Sequence, residues 1–298
     1  MDFLDALDRR VLVCDGAMGS LLYERGVFVN QSFEALNVTR PELVTEVHRA
    51  YVEAGADIIE TNTFGAGRVK LAGFGLADQL EAINGAAVRL ARDAGARFVA
   101  GAIGPLGVGE HGARPSGEAE TAFAEQTTVL VDAGVDLLML ETFSSVAELT
   151  LAVTVVRRLT DLPLVAQVST GEDGSSRDGV SPETFGPRLV DAGATLVGVN
   201  CGAGPAATLE SVERLAEATA APLSAQPNAG GPREVEGRRL SLSSPEFLAS
   251  YARRFVAEGA GLVGGCCGTT PAHIARIADA VGGAPAPRRV PARPAALP

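Results

Sequence analysis

Tryptophan is absent from this chain, and lysine nearly so: of 25 basic residues only Lys70 is a lysine. With no tryptophan and aromatics at 5%, the chain is poorly supplied for an aromatic cage around a quaternary ammonium ligand. Schiff-base chemistry would rest on Lys70 alone. That residue lies several positions past a predicted strand end, on a helix, and is set aside. Positive charge is short overall. A net charge of −11 argues against a nucleic-acid partner and against an anionic membrane surface. No apolar run is long enough to span a bilayer. The first ten residues are acidic and amphipathic and lack the basic and apolar regions of a signal peptide, so the expected location is cytoplasmic. Histidines number three, His48, His111 and His273, and none falls at a predicted strand end. Cysteines number four, Cys14, Cys201, Cys266 and Cys267. In a cytosolic chain they favour metal binding or catalysis over disulfides, and a bond between the adjacent pair would need a strained ring.

One phrase recurs along the chain. Ala54-Gly55-Ala56-Asp57-Ile58-Ile59-Glu60-Thr61 returns as Ala133-Gly134-Val135-Asp136-Leu137-Leu138-Met139-Leu140-Glu141-Thr142. It returns again from Ala192 to Cys201 and from Glu258 to Cys266, with a weaker copy from Ala94 to Gly101. Each copy reads as a helix ending on a left-handed glycine, followed by a buried strand. Strands are expected near 11–14, 57–61, 97–102, 136–141, 163–169, 195–200, 222–226 and 261–265. They are continuous apolar runs, as parallel strands covered on both faces should be. Helical patterns separate them: Pro41–Ala54, Asp78–Ala94, Ala119–Ala133, Ser145–Leu159, Pro182–Ala192, Thr208–Ala218, Pro245–Ala257 and Pro271–Val281. Eight such units in 298 residues predict an α/β fold, a single-domain (β/α)8 TIM barrel, over residues 1–281. A doubly wound sheet is the alternative. Residues 282–298, rich in Pro, Ala and Arg, read as a disordered tail or severed linker.

Barrels of this kind place their chemistry at the C-terminal strand ends. Those ends carry Asp15-Gly16-Ala17-Met18-Gly19, Glu60-Thr61-Asn62-Thr63, Glu141-Thr142, Asn200-Cys201-Gly202, Gln226-Pro227-Asn228 and Gly264-Gly265-Cys266-Cys267-Gly268. Glycines flanking the cysteine pair are expected to bend the backbone so that both sulfurs aim at one point, with Thr270 and Pro271 starting the next helix. Structural packing remains the plainer alternative for these thiols. Cys201, Cys266 and Cys267 form a three-thiolate set whose spacing matches no zinc finger, so the fold must assemble it. Such a set suits zinc with one position open to a soft sulfur substrate, which the ion would hold as thiolate. Asp15 and Glu141, on the same rim, suit the ammonium of an amino-acid substrate; capping of loop amides is the alternative. The amides of Gly16, Ala17 and Gly19 open a predicted helix, where a carboxylate can be received. Glu60 and Asn62 are as well placed but less diagnostic. Cys14, preceding Asp15, is expected to point to the other side and fill core, and His273 to be structural.

These motifs resemble the homocysteine S-methyltransferase family. The match runs in order through Asp15-Gly16-Ala17-Met18-Gly19, Glu60-Thr61-Asn62-Thr63-Phe64, Glu141-Thr142-Phe143, Gly198-Val199-Asn200-Cys201, Gln226-Pro227-Asn228-Ala229-Gly230 and Gly264-Gly265-Cys266-Cys267-Gly268-Thr269-Thr270-Pro271. It is most similar to the homocysteine domain of cobalamin-dependent methionine synthase and to the barrel of bifunctional proteins joined to methylenetetrahydrofolate reductase. The resemblance implies zinc on Cys201, Cys266 and Cys267, with Asn228 able to fill the fourth position before substrate arrives. It implies that Asp15, Gly16, Ala17 and Glu141 hold the amino-acid end of homocysteine. The expected reaction is methyl transfer to the homocysteine thiol, forming methionine. The donor would be S-methylmethionine, S-adenosylmethionine or a methyl-corrinoid, and the partner a corrinoid protein or the reductase. Thr142 stands where the betaine-using branch often has tyrosine, which argues against betaine. Alternatives are another thiol or selenol acceptor, or a thiol-binding subunit that is not itself catalytic. The loop Gly104–Glu118, with no Phe, Tyr or Trp, offers little grip for a sulfonium, and tilts the expectation towards a donor delivered by a second protein.

Overall fold

The computed structural model describes residues 1–28, 30–106, 116–230, 233–235, 238–240 and 243–287. Eight parallel strands form one sheet: β1 (Leu12–Val13), β2 (Ile58–Glu60), β3 (Phe98–Ile103), β4 (Leu137–Phe143), β5 (Leu164–Val168), β6 (Leu196–Cys201), β7 (Leu223–Pro227) and β10 (Ala260–Val263). Two short strands, β8 (Arg233–Val235) and β9 (Arg238–Leu240), pair antiparallel between β7 and the last barrel strand. The sheet runs β1-β10-β7-β6-β5-β4-β3-β2. A bridge between Cys14 and Ile58, flanked by Asp15 N–H to Ile58 O at 3.1 Å and Asp57 N–H to Val13 O at 2.7 Å, joins its two edges. The result is the expected (β/α)8 barrel.

The helices are α1 (Phe3–Leu7), α2 (Gly19–Glu24), α3 (Leu36–Thr39), α4 (Pro41–Glu53), α5 (Arg68–Ala72), α6 (Leu80–Asp93), α7 (Ser116–Asp132), α8 (Val146–Leu159), α9 (Pro182–Asp191), α10 (Pro205–Ala218), α11 (Pro245–Ala257) and α12 (Pro271–Val281). The eight expected helices are all present, α10 starting three residues earlier than expected because Pro205 opens it at the first helical position. Each recurring phrase turns on a glycine with φ between 88° and 113°: Gly55, Gly95, Gly134, Gly193 and Gly259. A side chain there would be strained, which is why the repeat is written around glycine.

Two hydrophobic layers result. The outer one packs the helices against the barrel. The inner one includes Leu12, Ile58, Phe98, Met139, Val165 and Leu262. Helix α1, which the sequence pattern did not place, closes the bottom of the inner layer. Its Phe3 ring meets Phe98 edge to face at 5.7 Å, and Ala6 and Leu7 are buried with it. Residues 282–287 depart from the expected disordered tail. Val11 N–H donates to Ala284 O at 2.8 Å, Ala286 N–H donates to Arg9 O at 3.2 Å, and Arg10 bridges Pro285. Backbone pairing with the N-terminal segment holds these residues where composition alone reads as linker; residues 288–298 lie outside the described residues.

Candidate functional site

The three sulfurs converge. Cys201 ends β6, while Cys266 and Cys267 follow β10, and the three Sγ atoms lie within 4.8 Å of one another. The glycines around the pair work differently from expectation. Only Gly268 is left-handed, at φ 77°. Gly264 and Gly265 serve close approach instead. A Cβ on Gly264 would sit 2.8 Å from Cys14 Cβ, and one on Gly265 would sit 2.5 Å from Thr269 Oγ1. The turn is thus pressed against β1 and pinned by Thr269, whose hydroxyl donates to Cys266 O at 2.7 Å. Thr270 caps α12 as expected. His273 completes that cap through Nδ1, 2.9 Å from Thr270 Oγ1, and its Nε2 lies 2.9 Å from Ser243 O, so its role here is structural.

The thiols share charge unequally. Hydrogen bonds from Cys266 and Cys267 hold Cys201 as thiolate, its pKa drawn down to about 3. Those hydrogen bonds to Cys201, together with burial and its negative charge, push the other two up: Cys266 well above its ordinary value and Cys267 to about 11. Only a cation among the sulfurs would let all three lose their protons together. The donor set therefore fits a thiophilic metal. Asn228 stands beside it. Its amide hydrogen-bonds the Cys201 sulfur and donates to Gly202 O at 2.6 Å, while its Oδ1 accepts from Gly230 N–H at 3.2 Å.

Opposite the sulfurs lies a carboxyl cluster at the ends of β1, β2 and β4. Asp15 is 3% exposed, and its Oδ2 accepts the Glu60 N–H at 3.1 Å. It therefore does cap an amide, as the plainer reading of the sequence allowed. Glu60 hydrogen-bonds Glu141 and accepts from Gln226 Nε2 at 2.6 Å. Gln226 is oriented in turn by Gln167 Nε2, 2.7 Å from its Oε1. Burial raises the pKa of all three carboxyls, and the negative charge of Glu60 raises Asp15 and Glu141 further. Like charges packed without a cation keep protons among them. The sequence reading underweighted Glu60. The signal was available, because the recurring phrase places Glu60 and Glu141 at equivalent strand ends.

Other expected residues separate from the site. Asn62 donates to Phe33 O at 2.8 Å and Asn37 Oδ1 at 3.0 Å, tying loops together. The Ala17 amide is taken by Thr269 Oγ1 at 3.1 Å and its carbonyl by Tyr51 Oη at 2.8 Å. Of the three amides expected to meet a carboxylate, those of Gly16, Ala17 and Gly19, Ala17 is therefore already committed. Cys14 is buried, as expected, but does not point away from Asp15. Strand β1 ends at Val13, so strict alternation has lapsed, and the Cys14 thiol lies 3.6 Å from Asp15 Oδ1 and 3.5 Å from Glu60 Oε1. Lys70 is on α5, its ammonium 4.2 Å from the centre of the Phe64 ring. His48 is buried on α4 with neither ring nitrogen partnered. His111 and residues 107–115 of the long loop lie outside the described residues.

Residues 12–281 match the family model described as homocysteine S-methyltransferase. The chain belongs to the homocysteine S-methyltransferase family. It is 35% identical over 97% of its length to methionine synthase of Mycobacterium tuberculosis, and 33% identical over 94% to methionine synthase of Mycobacterium leprae. It spans about a quarter of the length of those relatives, 26% and 25%. The metallated form of the homocysteine methyltransferase MmuM of Escherichia coli superposes with a TM-score of 0.78 at 28% identity, covering 92% of this chain and 96% of that one. No helix among the described residues is long and apolar enough to cross a membrane.

Proposed function

We propose that this barrel methylates the thiol of homocysteine, giving methionine, at a zinc ion held by Cys201, Cys266 and Cys267. The observation that carries the reading is the meeting of three sulfurs within 4.8 Å on the rim that also bears Asp15, Glu60 and Glu141. When bound there, zinc supplies a Lewis acid that holds an incoming thiol as thiolate at neutral pH. The protein supplies the rest. Asp15 and Glu141 receive the substrate ammonium, which neutralises carboxyls that otherwise hold protons against one another. Glu60 positions both, fixed from below by Gln226 and Gln167. The Gly16 amide, at the entrance to α2, faces the substrate carboxylate. Asn228 steadies the Cys201 sulfur and would be the residue to fill the remaining metal position before the substrate sulfur arrives. The acceptor sulfur would thereby be held between the two halves of one rim, available for in-line attack on the methyl group of a donor.

The donor is read as a methyl-corrinoid brought by a second protein or domain. Support comes from the higher identity to methionine synthase, 35% against 28% for MmuM. A small sulfonium is the second reading: the mouth carries three carboxyls, Asp15 buried and Glu60 and Glu141 half-buried, and any charge that the substrate ammonium leaves unmatched among them would attract a cationic donor. A cytoplasmic setting suits either donor. Methionine formation from homocysteine across a panel of S-methylmethionine, S-adenosylmethionine and methylcobalamin tests the proposal. Turnover with S-methylmethionine at a few per second, an ordinary enzyme rate, overturns the corrinoid reading. No methionine with any donor overturns the activity.

A further inference from the structure

Two residues other than glycine have left-handed backbones in the described structure, Thr142 at φ 61° and Cys201 at φ 56°. For a β-branched threonine that conformation is an outlier, held only where the surroundings impose it. Thr142 is the penultimate residue of β4 and Cys201 the last of β6, with β5 between the two strands. One side chain reaches both sites. Asn200, 2% exposed, immediately precedes Cys201. Its Oδ1 accepts the Thr142 N–H at 2.8 Å. Its Nδ2 donates to Thr142 Oγ1 at 2.8 Å and to Glu141 Oε2 at 3.3 Å, and lies 3.8 Å from Cys266 Sγ. A single buried amide therefore touches the carboxyl half of the rim, the sulfur half, and the strained residue beside each.

We infer that Asn200 is a positioning residue, a clamp that fixes the ammonium-receiving carboxyl of Glu141 relative to the metal-binding sulfur of Cys266. This rests on the function proposed above. The chemistry of an amide suits the task. Its oxygen satisfies the Thr142 N–H that the left-handed turn leaves unpaired, and its N–H groups serve the Thr142 hydroxyl, the Glu141 carboxyl oxygen and the Cys266 sulfur, all of which can accept. Hydrogen bonds of this kind orient metal ligands and tune them, and their loss typically costs 10- to 100-fold in affinity or activity. Aspartate lacks the donors, and serine is too short to span β4 to the Cys266 turn. Cys201, the next residue, takes the second left-handed turn, and its sulfur lies within 4.8 Å of the one that Asn200 touches.

The test compares the parent protein, Asn200→Ala and Asn200→Ala/Thr142→Gly. Glycine adopts the left-handed turn without strain, so the second substitution restores the backbone without restoring the hydrogen bonds. Three readouts are taken on each: cobalt uptake, the thiolate-to-cobalt charge-transfer band, and homocysteine affinity by calorimetry. The expected result for Asn200→Ala is full cobalt uptake, a shifted charge-transfer band, and homocysteine binding weakened about tenfold or more. In the double variant affinity recovers in part while the band stays shifted, because only the strain has been relieved. If Asn200→Ala binds homocysteine like the parent with an unshifted band, or merely lowers the unfolding temperature, the clamp is refuted and the functional reading stands. If the parent itself takes up no cobalt and binds no homocysteine, the functional reading falls and the clamp with it.

Discussion

The two halves of the barrel mouth solve opposite problems. On the sulfur side the ligand atoms compete for one negative charge: Cys201 carries it, and Cys266 and Cys267 remain protonated beside it. On the carboxyl side three acids are so buried that each resists ionisation. In the function proposed above both halves await a cation, a metal for one and an ammonium for the other. They differ in how the protein itself satisfies them. The carboxyls are already hydrogen-bonded by the Glu60 amide, Gln226 and Asn200. Among the described residues the sulfurs lean chiefly on one another, with Asn228 at Cys201 and a long contact from Asn200 at Cys266. The carboxyl half is therefore a preorganised receptor that keeps its shape unloaded, whereas the sulfur half is completed by what it binds.

Breaking the sulfur half should have the largest effect. Cys201→Ala, Cys266→Ala and Cys267→Ala are each expected to lose bound metal and all measurable methyl transfer, whereas Cys14→Ala retains its metal. Elemental analysis of each purified variant, beside an activity assay, checks this; a Cys266→Ala protein with full metal would contradict the ligand set. Breaking the carboxyl half should leave the metal in place. Glu141→Ala is expected to lower kcat/KM for homocysteine by about 2–4 kcal/mol of transition-state binding, with zinc content unchanged. If it sheds zinc instead, the two halves are not separable and Glu141 is structural.

The smallest effect sharpens the comparison by lying outside both halves. His48 is fully buried and unpartnered, and burial lowers its pKa from 6.5 to about 4. Because its folded pKa lies below the unfolded one, the unfolded chain binds the proton first as pH falls. Stability is full above pH 6.5 and declines between 6.5 and 4, by at most about 3 kcal/mol. His48→Leu should flatten that part of the stability curve and leave metal content and kcat unchanged. Denaturant melts of both proteins at pH 7 and pH 5 decide it; parallel losses in the two would show that His48 is not the titrating group.

Legibility in the sequence follows the same division. The barrel was readable because five of its helices end on a left-handed glycine before a buried strand, a requirement written openly at Gly55, Gly95, Gly134, Gly193 and Gly259. The sulfurs were readable because cysteine is scarce and three of four fell at strand ends. Glu60 was not singled out because carboxylates are common at strand ends, and only contact with Glu141 and Gln226 marks this one. Asn200 is harder still: its significance lies in reaching across β5 to Thr142, a relation fixed by barrel closure and carried by no local pattern. The pairing of residues 284–286 with residues 9–11 was hidden for the same reason, since a proline-rich composition says nothing about a partner 270-odd residues away.

The central claim is that three thiolates of this chain hold a zinc ion needed for methyl transfer to homocysteine. Its most direct test is zinc content and methionine formation measured in the same sample, purified without chelator and then titrated with a strong one. The account predicts about one zinc per chain, with methionine formation falling in proportion as zinc is withdrawn and returning when zinc is restored. A zinc content near zero with undiminished methionine formation in excess chelator would contradict it.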